Sequence, residues 1–334
     1  MNKWPLLFVA LCLQLSCSQS TQENEVETSV QQPIPQAISL MGDSLFAAAP
    51  SDNMIEKYNQ RKATYEADTT NVDNLIWYGR FAAYKGDYHE AISIYSDGIR
   101  RFPEEARLYR HRGHRYISMR KFEEAIQDLE YASQLIQGTE NEMEPDGLPN
   151  AQNIPVSSNH GNIWYHLGLA YYLSNDMENA LRAYKNCLAS TQNDDNVVSS
   201  THWIYMILRR MGNVEEANTY LEPITTDLNV IENMAYHKAC LFYKGAITLE
   251  RLTNDIEQGS GGDAMKYALG NWPTYLQNPP WLYLFLRYTH TNFPKKGGLM
   301  SLLSWITKYG RKSFLNIPGS SPKRFGSMNS TLMR

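Results

Sequence analysis

Cysteine is scarce in this chain of 334 residues, with only Cys12, Cys17, Cys187 and Cys240. That excludes a disulfide framework for a protein this long. Cys187 and Cys240 sit beside apolar residues in helical patterns, which predicts two buried free thiols rather than a bridge or a metal site. Catalytic signatures are missing as well. There is no Gly-x-Ser-x-Gly nucleophile turn, phosphate loop, zinc-peptidase helix or dinucleotide fingerprint. The GSGG at 259–262 lacks the preceding strand and the following lysine of a phosphate loop, and reads as a loose connection. Acid is absent from one region: residues 273–334 contain nine bases and no Asp or Glu. What is present is enough to build a core. A hydrophobic content of 43% excludes a disordered chain, and 22 tyrosines against 10 phenylalanines predict half-wet packing surfaces.

Residues 1–17 read as a secretory signal. Lys3 is followed by an apolar run, Trp4 to Leu15, too short for a comfortable membrane span, and then by Ser16 and Cys17. A small residue directly before a cysteine resembles the lipobox of bacterial lipoproteins, although Gln14 stands where a leucine is usual. The expectation is an exported protein of the bacterial envelope, lipid-anchored at Cys17 or periplasmic after ordinary cleavage. Residues 18–53 begin as a polar stretch with Pro33 and Pro35 and suit a flexible tether. A capping helix is expected over 54–71, with Met54, Ile55, Tyr58 and Tyr65 lying against the first repeat.

From residue 72 the sequence repeats at a period near 34. Gly79, Ala91, Tyr95 and Pro103 mark the first unit; Tyr109, Gly113, Tyr116, Phe122, Ala125 and Ala132 mark the second. Trp164, Leu167, Gly168, Tyr171, Ala180 and Tyr184 mark the third, and Gly212, Ala217 and Leu221 a fourth. Small residues at these places let two antiparallel helices approach closely while the large ones fill the gaps. The spacing is that of the tetratricopeptide repeat. It predicts an all-α superhelical solenoid of antiparallel helix pairs over 72–224, a further pair over 225–272, a flexible tether before it and an irregular tail after it. An insertion at about 139–160 carries Glu140, Glu142, Glu144 and Asp146 with Pro145, Pro149 and Pro155, whose turn chemistry favours a fixed path.

The stretches NLIWYGRFAAYKGDYHEAI, LYRHRGHRYISMRKFEEAI, EPDGLPNAQNIPVSS and NIWYHLGLAYYL resemble a group of bacterial exported tetratricopeptide proteins of no settled biochemical role. The likeness covers about residues 54–272, insertion included. It implies a helical solenoid and export, and no activity. After Trp272 the repeat pattern stops where the acids stop. A frameshift in the reading frame accounts for both. The rival, a basic tail for anionic lipid or nucleic acid, meets scattered bases with no amphipathic period, so no nucleic-acid partner is expected.

The first helix of each tetratricopeptide unit faces the groove of the solenoid. The groove positions here are Arg80 and Tyr84; Arg107, Arg110, His111 and His114; Tyr165 and His166; and His202 and Arg209. The four from Arg107 to His114 fall on one helical face. This basic and aromatic lining on an acidic body predicts a protein or peptide partner that is acidic or carries a C-terminal carboxylate. The insertion's acids are placed to fold back and compete for the same arginines. His111 and His114, with His166, have spacing that a metal could use, but they lack a neighbouring carboxylate or thiolate; no metal or cofactor is expected. The reading is a non-enzymatic binding scaffold. Its alternatives are an accessory lipoprotein of an envelope assembly or secretion complex working through its outer surface, and a hydrolase with its residues in the insertion.

Overall fold

The computed structural model describes residues 34–39 and 42–254. The chain divides into two compact units, Met1–Ile34 and Pro35–Arg334, and every secondary-structure element described belongs to the second. A two-stranded antiparallel hairpin, β1 (Ala37–Ile38) with β2 (Ser44–Leu45), precedes a capping helix α1 (Asp52–Ala67). Helix pairs come next: α2 (Val72–Tyr84) with α3 (Tyr88–Arg101), and α4 (Ala106–Ser118) with α5 (Phe122–Leu135). After the insertion come α6 (Asn159–Leu173) with α7 (Met177–Ala189), and α8 (Asp194–Met211) with α9 (Val214–Leu221). The last are α10 (Met234–Tyr243) and α11 (Leu249–Asn254). From α1 to α9 each helix packs on the next; α2, α4, α6 and α8 also touch in series, so the first helices of the pairs share one inner face.

The turn within each pair repeats one device. Gly86, Arg120, Asn175, Gly212 and Gly245 all adopt positive φ. At each, the next residue donates its N–H five residues back, as Asp87 does to the Ala82 carbonyl at 3.1 Å and Lys121 to Tyr116 at 2.8 Å. This left-handed stop satisfies carbonyls that the helix end would otherwise orphan and reverses the chain into the second helix. Close approach within a pair then depends on missing side chains. A Cβ on Gly168 would lie 2.6 Å from the Tyr184 ring, and one on Gly79 would strike the Tyr95 ring. Tyr95 and Tyr184 are fully buried by that approach, each removing apolar area worth about 2 kcal/mol from water.

Three boundaries shift from the sequence reading. The stretch taken as a tether through residue 53 holds the hairpin, whose base is joined to the first repeat: the Tyr88 N–H donates to Gln36 Oε1 at 2.8 Å. Polar composition predicted flexibility there, but an amide side chain answering an unpaired helix-start donor fixes the segment. Helix α1 starts earlier, at Asp52, because the Ser51 hydroxyl accepts the Met54 N–H. The insertion ends earlier, since Ser158 caps α6 by accepting the Gly161 N–H. Cys187 and Cys240 are buried free thiols. The signal sequence with Cys17, and the segment 273–334 with its proposed frameshift, lie outside the described residues.

Candidate functional site

Helix α2 presents Arg80 and Tyr84 one turn apart on the inner face, and α4 presents Arg110, His111 and His114 beside them. The insertion enters this face as a narrow two-chain loop. Glu144 N–H donates to the Ser157 carbonyl at 2.8 Å, Asn159 N–H donates to the Glu142 carbonyl at 2.8 Å, and Met143 bridges Ser158. That pairing aims the Glu144 side chain into the arginines, where it is only 6% exposed.

Four donors from three successive repeats converge on this carboxylate. Arg80 Nη1 lies 3.2 Å from Oε1 and Arg110 Nη2 3.1 Å from Oε2. Asn162 Nδ2 of α6 donates to Oε2 at 2.7 Å, and His111 Nε2 stands 3.5 Å from Oε1. Arg110 Nη1 is 2.8 Å from His111 Nδ1. A guanidinium only donates, so Nδ1 accepts and the imidazole proton sits on Nε2, toward Glu144. Burial, then the neighbouring arginines, hold His111 well below its ordinary pKa, and the ring is neutral. It also stacks on Tyr95 with centroids 5.5 Å apart.

The insertion continues past the carboxylate. Arg80 Nη1 donates to the Pro145 carbonyl at 2.9 Å, Arg80 Nη2 to the Tyr84 hydroxyl at 3.3 Å, and Gly147 lies directly on the Tyr84 ring. Farther along, Asn193 and Asn196 donate to the Val156 carbonyl at 2.8 and 3.0 Å, and Asn150 donates to Glu232 at 2.6 Å. The loop therefore crosses from the first repeat to the segment before α10. Even so, Arg80 Nε and Arg110 Nε are buried without an acceptor among the described residues.

The remaining groove positions fall into three environments. Arg107, in the first turn of α4, is held at the rim by Asp73 and Glu105, each at 2.7 Å, and does not join the cluster. His114 and His166 stand with ring centroids 4.1 Å apart beside the cluster, and burial pushes His166 down to about 3. Tyr165 bonds to Tyr236 at 2.9 Å and Trp203 at 3.1 Å. His202 belongs to the core: it is 1% exposed, stacks on Tyr243 and packs at a tilt against Tyr236, because α10 covers the face of α8 that the repeat pattern assigns to the groove. Arg209 donates to the buried Tyr205 hydroxyl at 2.7 Å. The sequence reading missed Asn162, which does not stand at a groove position of the repeat and is revealed only by the placement of the loop.

Among the described residues no three His, Cys, Asp or Glu side chains gather to hold a metal ion. Burial pushes the Cys187 thiol up to about 11 and Cys240 further still, which favours the protonated thiol in both. What the cluster shows is one buried carboxylate paired with two buried guanidinium groups.

Stacked helix pairs with left-handed stops and glycine-to-tyrosine contacts make this fold a helical solenoid of the tetratricopeptide-repeat type. The family model of the tetratricopeptide repeat matches residues 161–194, which run through α6 and α7. No curated protein matches by sequence. Among solved structures, MamA from Desulfovibrio magneticus RS-1 is 15% identical, with 51% of this chain and 82% of that chain covered and a TM-score of 0.39. YrrB, described as a TPR protein with an unusual peptide-binding site, is 15% identical over 75% of this chain and 99% of that one, with a TM-score of 0.42. PilF of Pseudomonas aeruginosa is 13% identical over 77% and 90%, at 0.45.

Proposed function

We propose that this protein is a non-enzymatic scaffold that binds a peptide or protein segment along its inner face. In this reading it takes up a partner's carboxylate at Arg80, Arg110, His111 and Asn162. The observation that carries the reading is Glu144 itself. A side-chain carboxylate on an extended stretch of chain, met by donors from three repeats, is the arrangement that an acidic partner would have to reproduce. The insertion is then the site's resident occupant, and a partner binds by displacing it. Guanidinium pairs suit this task because they meet both oxygens of a carboxylate with directed hydrogen bonds.

Location belongs to the same proposal. The apolar run before Ser16 and Cys17 supports export with a lipid anchor at Cys17, and mass spectrometry of the mature N-terminus tests it: an unacylated start beyond residue 17 removes the anchor. The binding reading is tested by titrating acidic peptides into the wild-type chain and into Glu144→Gln, which weakens the occupant without removing its shape. Affinity should rise about tenfold in the variant and disappear with Arg110→Glu. Equal, weak binding by all three chains would overturn it.

A further inference from the structure

In an array of stacked helix pairs each unit packs on its neighbours, so stability is a sum of short-range terms and one end has no direct hold on the other. The insertion departs from that rule. At its near end, Glu144 meets Arg80 of the first repeat, Arg110 and His111 of the second and Asn162 of the third. Its returning chain reaches the fourth. Val156 is 2% exposed, and its carbonyl accepts from Asn193, which caps α8, and from Asn196 in the first turn of that helix. Asn150 donates to Glu232, in a segment that α8 itself holds. There Asp195 accepts the N–H groups of Ile231 and Glu232 at 2.8 Å and of Asn233 at 2.7 Å, and Asp194 accepts that of Asn229 at 2.7 Å.

Between these attachments the loop is braced. Its two chains are joined by the backbone bonds of Glu144 to Ser157 and of Asn159 to Glu142. At the apex the Asn150 side-chain oxygen accepts the N–H groups of Gln152 and Ile154 at 3.0 and 3.2 Å, which closes the turn. At the base Asn141 donates to the Ser190 carbonyl at 3.1 Å and Gln192 donates to the Asn141 carbonyl at 2.9 Å, tying the loop to the chain that follows α7. A slack loop would absorb a displacement at one attachment, whereas one closed by its own hydrogen bonds passes it to the next. We infer that the insertion is a strap that couples non-adjacent repeats. A change at Glu144 is felt at the start of α8 and in the segment before α10, and a change there is felt at the end of α2, because coupling between two sites is reciprocal. The strap stands apart from the binding reading: it acts whether or not a partner takes the place of Glu144, and a partner that does so loosens the far end.

Amide hydrogen exchange of the full chain, read by mass spectrometry, tests the strap from both ends. Glu144→Gln weakens the near attachment. Asn193→Asp combined with Asn196→Ala removes both donors to the Val156 carbonyl, while a carboxylate still caps α8. The wild type in enough urea to match each variant's stability shows what a general loss of stability does to every helix. Glu144→Gln should speed exchange about fivefold or more in the first turn of α8 and at the amides of residues 229–233, beyond the urea-matched wild type. The double variant should speed exchange by about the same factor at residues 81–87, where α2 ends. Acceleration confined to each variant's own end of the loop overturns the strap, and so does acceleration no greater than that of the urea-matched wild type. No peptide enters the measurement, so a failure here is distinct from a failure of the binding reading.

Discussion

Glu144 Oε2 lies 3.1 Å from Arg110 Nη2, with both side chains buried on the inner face although one belongs to a loop and the other to a helix of the preceding repeat. A buried pair of this kind gives little net stability over an apolar pair, but breaking it from one side leaves a charge with no compensation. Glu144→Ala should lower stability by about 3 kcal/mol, and Glu144→Gln by less because the amide oxygen still accepts. Urea midpoints followed by circular dichroism measure this. Limited proteolysis should show faster cleavage at the exposed Leu148 in the alanine variant, and identical cleavage would mean that the carboxylate does not hold the loop.

Gly168 faces the Tyr184 ring at a separation that leaves no room for a Cβ. Gly168→Ala should cost about 1–3 kcal/mol through overpacking, as the α6–α7 pair is forced apart. Adding Tyr184→Leu should recover part of the loss. Thermal unfolding of the two variants checks whether the contact or a general intolerance of α6 is responsible.

Arg120 occupies the left-handed stop of the second repeat with φ of 62°, where glycine stands in the first and fourth. Its side chain is exposed. Arg120→Gly should stabilise by about 0.5–1 kcal/mol, the relief of left-handed strain being partly offset by the added freedom of the unfolded chain. A lower melting temperature in the variant would show that the added freedom of the unfolded chain outweighs the relief of strain.

His111, His114, His166 and His202 all have pKa values pushed down, His166 and His202 to about 3, with burial the leading cause. The unfolded chain binds protons near 6.5 while the folded chain does not, so stability is greatest above that value and declines as pH falls toward 3. Comparing urea midpoints at about pH 7 and about pH 4.5 should show a clear loss. Replacing His114 and His166 together with glutamine should make the loss smaller, even if stability at neutral pH is also reduced.

The repeating part of this fold is legible in the sequence because its determinants are local. Gly79, Gly113 and Gly168 fall at the places where helices must touch, and Gly86 and Gly212 at the turns, so period and spacing suffice. The left-handed stops at Arg120 and Asn175 are harder to read, since neither residue type demands positive φ; the surrounding repeat imposes it. The hairpin before α1 was hidden for another reason. Its anchor is one glutamine oxygen accepting the Tyr88 N–H, a contact with no compositional signature.

For the candidate site, residue types alone named Arg80, Arg110, His111 and the competing acids, because a helix projects i, i+3 and i+4 to one side wherever it is placed. Which acid enters, and which arginines receive it, was decided by tertiary structure. The pairing of Glu142–Glu144 with Ser157–Asn159 sets the register of the loop, and one residue of slip would turn Glu144 away and present Met143 instead. The same holds for His202, a groove residue by position that became core when α10 packed over it. Sequence determines which side of a helix a residue occupies; only the packing of distant elements determines whether that side meets water, a carboxylate or another ring.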